Sequence, residues 1–255
     1  MNLFDLSDKV AIVTGGNSGI GWGIVQGLAE AGASVIIAAR NEAKSTKAAQ
    51  ILSDDGYKAM AIRCDVTDDE SIRAMVNQVL DHFGRIDILV NNAGTNIRKP
   101  LEEMAFDEWR TVLDTNLDSI YRCCKACYPV MKAGGGGKIL NNGSMLSIFG
   151  SGWAPAYAAS KGGMVQLTKS LAAGWAEDNI QVNCFLPGWI DTPLTVQARK
   201  DIEGLEEKIL ARTPAKRWGH IDDFKGIAIF LASDASDFVN GTAIPVDGGF
   251  SVNIL

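Results

Sequence analysis

Tyr157 and Lys161, in the stretch Tyr157-Ala158-Ala159-Ser160-Lys161, are the side chains best suited by type and spacing to carry chemistry. They stand four positions apart, so on a helix both leave the same face. A free tyrosine has a pKa of roughly 10, too high for a base near neutrality. A neighbouring ammonium favours the phenolate and is expected to lower that value. Such a pair can exchange a proton with an alcohol or a carbonyl. The same pentad is also an ordinary surface pattern on amphipathic helices, so its meaning depends on the elements that position it.

Those elements belong to a chain of 255 residues, 47% hydrophobic and 21% charged, enough for one well-buried core. The formal net charge is −6 and no block of five basic residues occurs, which argues against a nucleic-acid partner. No apolar run reaches transmembrane length, so no membrane association is expected. The segment from Met1 to Lys9 carries Asp5 and Asp8 and lacks the basic start of a signal peptide, and a cytoplasmic protein is expected. The five cysteines (Cys64, Cys123, Cys124, Cys127 and Cys184) are odd in number, in a chain too large to need disulfide staples. Cys124 and Cys127 are spaced like a redox or metal pair, but no second pair or nearby histidine completes a zinc site. They read as small apolar residues on a helix face. His82 and His220 also lack partners by spacing, so no metal is expected.

Apolar runs at Val10–Val13, Ser34–Ala39, Ala59–Cys64, Ile86–Val90, Lys138–Asn141, Ile180–Leu186 and Thr242–Val246 read as strands. Helical patterns fall between them, at Ile20–Ala31, Glu42–Leu52, Asp68–Phe83, Tyr157–Glu177 and Asp222–Leu231, with one or two helices in Phe106–Met131. Gly134–Gly137 reads as a flexible connection. Regular alternation without a polar linker predicts an α/β fold. It would be one domain, a doubly wound parallel sheet of about seven strands with helices on both faces. The charged segment 193–218, containing Pro193, Gly204 and Pro214, follows a strand end and is a candidate substrate lid.

Thr14-Gly15-Gly16-Asn17-Ser18-Gly19-Ile20-Gly21 joins the first strand to the first helix. Glycines there permit a tight turn and let a pyrophosphate approach backbone amides at a positive helix end. In this position the turn is a dinucleotide signal. An NAD site presents a carboxylate about 20 residues past the glycines, on the ribose hydroxyls. Here the second strand ends Ala38-Ala39-Arg40-Asn41. A guanidinium can pair with a 2′-phosphate, so NADP(H) is favoured over NAD(H), although Arg40 can equally be a solvated surface charge.

These motifs, taken in order, resemble the short-chain dehydrogenase/reductase family over essentially the whole chain. Thr14–Gly21 is similar to its T-G-x-x-x-G-x-G element, and Asn91-Asn92-Ala93-Gly94 to its N-N-A-G element. Pro187-Gly188-Trp189-Ile190-Asp191-Thr192 and Asp247-Gly248-Gly249 match its P-G and D-G-G segments. Asn116 and Ser144 fall where the family keeps catalytic residues. The resemblance implies a Rossmann fold and reversible hydride transfer between a nicotinamide and a carbonyl or secondary alcohol. It implies a catalytic set of Asn116, Ser144, Tyr157 and Lys161. Tyr157 would exchange the proton, Ser144 orient the reacting oxygen, and Lys161 bind the nicotinamide ribose. Asn116 would hold a relay water. It also implies a cofactor site from Gly15, Asn17, Ser18, Gly19, Ile20, Gly21, Arg40, Asn41, Asp65, Val66, Asn92, Ala93, Gly94, Tyr157, Lys161, Pro187, Gly188, Ile190 and Thr192. In that set Asp65 would meet the adenine amine; otherwise it caps the next helix, which Thr67 and Asp68 could do instead. A homotetramer or homodimer is implied too, with the Phe106–Met131 and Tyr157–Glu177 helices at one interface and the apolar end Ile254-Leu255 buried at another.

Substrate contacts are expected after Gly94, between Ser144 and Tyr157, and in the lid. The candidates are Asn96, Arg98, Ser144, Trp153 and Trp189. Arg98 invites a carboxylate, and with Asn96 and Ser147 it suits a sugar acid. Asn92–Pro100 and Arg217-Trp218-Gly219 resemble gluconate 5-dehydrogenase and 2-deoxygluconate dehydrogenase branches. Phe149, Trp153 and Trp189 could instead shape a pocket for hydrophobic or cyclic ketones. A third reading is reduction of 3-oxoacyl groups on acyl carrier protein. Against it, Leu171-Ala172 is followed by Ala173 where that branch carries a basic docking residue. A non-catalytic NADP-binding regulator would be expected to have lost one of the four catalytic residues.

Overall fold

The structure is a computed structural model that describes residues 2–253, so the expected burial of Ile254 and Leu255 lies outside the described residues. Among those residues the strands are β1 (Val10–Thr14), β2 (Ser34–Ala39), β3 (Ala59–Arg63), β4 (Ile88–Asn91), β5 (Gly137–Asn142), β6 (Ile180–Pro187) and β7 (Ala243–Val246). They form one sheet in the order β3-β2-β1-β4-β5-β6-β7. Every pairing is parallel. The chain reverses direction across the sheet between β1 and β4. A crevice opens there, outside the carboxyl ends of the strands, where ligands bind in such folds.

Alternation along the strands explains the two-faced core. Val10 and Ile12 of β1, with Ile36 and Ala38 of β2, face one side. Ala11, Val13, Val35 and Ile37 face the other. The first side is covered by α3 (Asp69–Phe83), α5 (Ser119–Ala133) and α6 (Pro155–Trp175). The second is covered by α1 (Gly19–Glu30), α2 (Glu42–Asp54) and α9 (Lys225–Ala232). Ile12 and Leu89 are fully buried. Truncating either to alanine should cost about 2–5 kcal/mol.

Local signals set the helix ends. Asn41 caps α2, accepting from Lys44 N–H at 3.0 Å. Asp68 caps α3 through Glu70 N–H at 2.9 Å, and Gly84 ends that helix at φ 73°. Helix α6 begins at Pro155 rather than at Tyr157, because proline suits the first helical position. The Phe106–Met131 pattern resolves into α4 (Phe106–Leu113) and α5, joined by a π turn at Asp114–Asp118. The charged 193–218 segment, a candidate lid with no element assigned from sequence, holds two helices, α7 (Pro193–Asp201) and α8 (Leu205–Arg212). Pro193 is the start of α7, not a breaker. Among the described residues no helix is long and apolar enough to cross a membrane.

Candidate active site

Strand β1 delivers Thr14 to the carboxyl edge, and its side chain ties the first turn to the segment after β4. The Thr14 hydroxyl donates to Val90 O at 3.2 Å and accepts from the N–H groups of Asn92 (2.9 Å) and Ala93 (3.1 Å). Asn92 Nδ2 donates back to Thr14 O (2.9 Å) and Gly15 O (3.3 Å). Gly15 sits at φ 65°, in the left-handed region. A Cβ on Gly21 would stand 2.3 Å from Asn92 Nδ2. Helix α1 starts without a side-chain cap from Ser18 and without an acidic residue in its first turn. Its amides are therefore free to meet an anion, and a dinucleotide pyrophosphate fits this turn. Asn17 is spent differently: its Nδ2 donates to Ser45 Oγ at 2.9 Å and locks the turn to α2.

Arg40 directly follows β2, and Asp65 lies two residues beyond β3. Burial opposes ionisation of Asp65, but hydrogen bonds from Thr67, and the Arg40 and Arg63 charges, outweigh it and lower its pKa. Asp65 Oδ1 is engaged by Thr67 N–H (3.0 Å) and Oγ1 (2.8 Å). Capping of α3 falls to Asp68, so Asp65 is not the helix cap.

At the nicotinamide end, β5 runs out at Asn142 and hands over to Ser144. Ser144 Oγ caps a short turn, accepting from Leu146 N–H at 3.1 Å. Tyr157 is half-buried on α6 and hydrogen-bonded to Ser144. Lys161 is 4% exposed, and its Nζ donates to the Asn142 carbonyl. That Nζ lies 5.4 Å from the Tyr157 ring centroid. Asn116, in the π turn, is fully buried. Its Nδ2 donates to Thr95 O (2.9 Å) and Ser160 Oγ (3.1 Å), and its Oδ1 accepts from Thr95 N–H (2.8 Å). Both amide hydrogens are thereby used, which leaves oxygen lone pairs for any water held there.

The electrostatics correct one expectation. Burial raises the Tyr157 pKa, and the influences that lower it are the Ser144 hydrogen bond and the Arg98 charge, not Lys161. Burial also lowers Lys161 to about 8, because the ammonium is the form that desolvation disfavours. Lys161 Nζ donates to a backbone carbonyl, and the charge that acts on the phenol is that of Arg98, distant in sequence but in the wall of the same cleft.

The cleft above these groups has a volume of about 690 Å³. It is lined by Gly15, Asn17, Ser18, Gly19, Ile20, Asn92, Ala93 and Gly94 on the turn side. Ser144, Tyr157, Lys161, Pro187, Gly188, Ile190 and Thr192 line the other, with the substrate candidates Asn96, Arg98, Trp153 and Trp189. Gly21, Arg40, Asn41, Asp65, Val66 and Asn116 stand outside its walls. Of these, Gly21 and Asn116 act behind the wall, through the Asn92 and Thr95 contacts above. Asn41 is committed to α2, and Val66 to the core. Arg98 donates to Leu194 O at 3.3 Å and pairs with Asp201 at 3.7 Å, so it reaches α7 from beneath. Trp189 packs edge-on against Trp218 at 5.7 Å, and Arg199 lies 3.9 Å over the Trp218 ring. Asp247 holds a turn through Gly249 and Ser251 N–H groups, which accounts for the D-G-G element structurally. Sequence reading missed the wall residues Asn142, Gly143 and Phe250, whereas Leu194 and Arg212 fall within the expected lid segment. The doubled Asn141-Asn142 at a strand end was the only signal for the first.

The fold and the site together define a nicotinamide-dependent oxidoreductase acting on CH–OH donors. The family model described as enoyl-(acyl carrier protein) reductase matches residues 15–251. The chain belongs to the short-chain dehydrogenase/reductase family. The 2-dehydro-3-deoxy-D-gluconate 5-dehydrogenase of Pseudoalteromonas atlantica is 43% identical over 97% of each chain. The gluconate 5-dehydrogenase of Gluconobacter oxydans is 37% identical, over 99% of this chain and 98% of its own. The crystal structure of a gluconate 5-dehydrogenase from Burkholderia cenocepacia J2315, in complex with NADP and tartrate, matches with a TM-score of 0.95 at 40% identity over 99% of each chain.

Proposed function

We propose that the chain interconverts a secondary alcohol and a ketone on a sugar acid of the gluconate type, with NADP(H). The observation that carries the substrate side is Arg98, a guanidinium in the cleft wall close enough to influence Tyr157. A substrate carboxylate on Arg98 would set the remaining carbons across Ser144 and Tyr157. Asn96 Oδ1 is buried without a partner among the described residues, and suits a sugar hydroxyl. Relatives named for gluconate-type substrates, and the NADP and tartrate of the Burkholderia complex, support the same reading.

The cofactor, when bound, supplies or accepts the hydride. Tyr157 gives its proton to the carbonyl oxygen in reduction and takes one in oxidation. Its raised pKa keeps the phenol protonated for the first task. Ser144 hydrogen-bonds the same oxygen. Lys161 binds the ribose, and Asn116 positions the Thr95 loop and α6. Arg40 takes the 2′-phosphate. We also assign residues 1–255 to a single domain with segment 193–218 as its lid, since α7 meets Arg98 there. A homo-oligomer, dimer or tetramer, fits the exposed Phe106 and Tyr121 on α4 and α5, and the acidic segment before β1 is the ground for placing it in the cytoplasm.

A second reading, reduction of hydrophobic or cyclic ketones, draws on Phe149, Trp153 and Trp189 in the same wall. A panel of D-gluconate, other sugar acids, polyols and cyclic ketones, assayed with NADP and NAD separately, separates the two. Activity confined to neutral ketones would replace the sugar-acid reading.

A further inference from the structure

The amide of Asn142 can be oriented by elimination. Thr14 O and Gly15 O are carbonyls and can only accept, so Asn92 must present Nδ2 to them. That turns Asn92 Oδ1 toward Asn142. Asn142 must then present its own Nδ2, which donates to Asn92 Oδ1 at 2.8 Å. Asn142 Oδ1 is left as an acceptor, buried and without a partner among the described residues. Asn142 is 8% exposed and lines the cleft. Leaving a buried acceptor unpaired is costly, so a donor arriving from outside is favoured.

Its place says where that donor comes from. On one side Asn142 is hydrogen-bonded through Asn92 to the glycine turn. On the other its backbone carbonyl receives Lys161 Nζ, and Ser144 follows two residues on. The residue therefore sits between the pyrophosphate turn and the proton-transfer groups. The ribose that joins a pyrophosphate to a nicotinamide has to cross that interval.

We propose that Asn142 is a cofactor-binding residue whose Oδ1 accepts a hydrogen bond from the nicotinamide-riboside half of the dinucleotide, from a ribose hydroxyl or the carboxamide N–H. This rests on the reading of the cleft as a nicotinamide dinucleotide site. The same amide, through Asn92, makes the glycine turn and the Lys161 end one connected frame.

The test is equilibrium binding, by calorimetry, of NADPH and of 2′,5′-ADP, which lacks the nicotinamide half, to the full chain and to Asn142→Leu. Leucine keeps the branched shape and removes the acceptor. The expected result is roughly 3- to 10-fold weaker NADPH binding with 2′,5′-ADP binding unchanged. Equal losses for both ligands would mean that Asn142 acts only by holding the glycine turn, and would overturn the proposal. Unchanged NADPH binding would also overturn it. If Asn142→Leu fails to fold, Asn142→Ala provides the second variant: it also removes the acceptor, so the same selective weakening of NADPH binding is expected, and unchanged NADPH binding would again overturn the proposal. Failure of the unaltered chain to bind NADPH at all would instead sink the dinucleotide reading on which the proposal stands.

Discussion

Helices α5 and α6 pack on the same face of the sheet and both bury ionisable side chains, with different results. On α5, Cys123, Cys124 and Cys127 are at most 1% exposed. Burial pushes the Cys124 thiol up to about 12 and the other two upward as well. On α6, burial pushes Lys161 down to about 8. The physics is the same, since both environments favour the neutral form. The access differs. The Cys124 thiol accepts a hydrogen bond from Asn91 inside the core, whereas Lys161 opens onto the cleft beside Tyr157. Desolvation alone makes a group inert. Desolvation at the edge of a cleft leaves a group that can change charge near its working pH.

The sharpest way to break this comparison is to remove one member from each helix. Lys161→Met should lower kcat/KM by about 10³-fold. Cys124→Ala should leave activity within about twofold and cost only about 1 kcal/mol of stability. Steady-state kinetics and denaturant melts of both variants check this. Comparable activity losses would erase the distinction.

Arg98→Ala carries the next largest effect. It should raise KM for acidic substrates about 10- to 100-fold and leave neutral alcohols much less affected. It also removes a charge that lowers the Tyr157 pKa, so that pKa should rise. The pH profile for oxidation of a neutral alcohol should then move to higher pH, because the phenol must lose its proton in that direction.

The thiols give a stability signature. Their folded pKa values lie above the unfolded value near 9, so above that pH the unfolded chain has released protons that the folded chain retains. Stability should fall by about 1.4 kcal/mol per thiol per pH unit until the folded pKa is reached. Lys161 works the other way, between about 8 and its ordinary value. Urea unfolding at pH 8 and pH 10 should show a smaller drop for Cys124→Ala than for the unaltered chain.

The smallest effect lies at the far end of the cleft. Arg40→Ala should weaken NADP binding roughly 5- to 10-fold and leave NAD binding nearly unchanged. Equal effects on both would mean that Arg40 is only a surface charge in the neighbourhood of Asp65.

Much of the site was legible because its parts are short and local. The glycine turn announces itself by Gly15, Gly19 and Gly21 between a strand and a helix, and the Tyr157–Lys161 spacing survives as a shared helix face. The remainder depends on contacts distant in sequence. That Ser144 and Arg98, rather than Lys161, pull the Tyr157 pKa down follows from which side chains converge on the phenol. That Asn142 carries an orphan oxygen follows only from the chain of amides through Asn92 to Thr14. Helices α7 and α8 are hard to see in the sequence because Pro193 and Gly204 sit at their starts in a charged segment without a clear apolar period. The π turn at Asn116 has no residue pattern that marks it.

The central claim is that Tyr157 moves the proton in an NADP-linked oxidation of a sugar acid. The most direct test is to measure D-gluconate oxidation with NADP by the unaltered chain and by Tyr157→Phe, with NADPH affinity measured on both. Turnover should fall by about 10³-fold or more in the variant while NADPH binding stays within about twofold. A Tyr157→Phe protein that turns over at the unaltered rate would contradict the account.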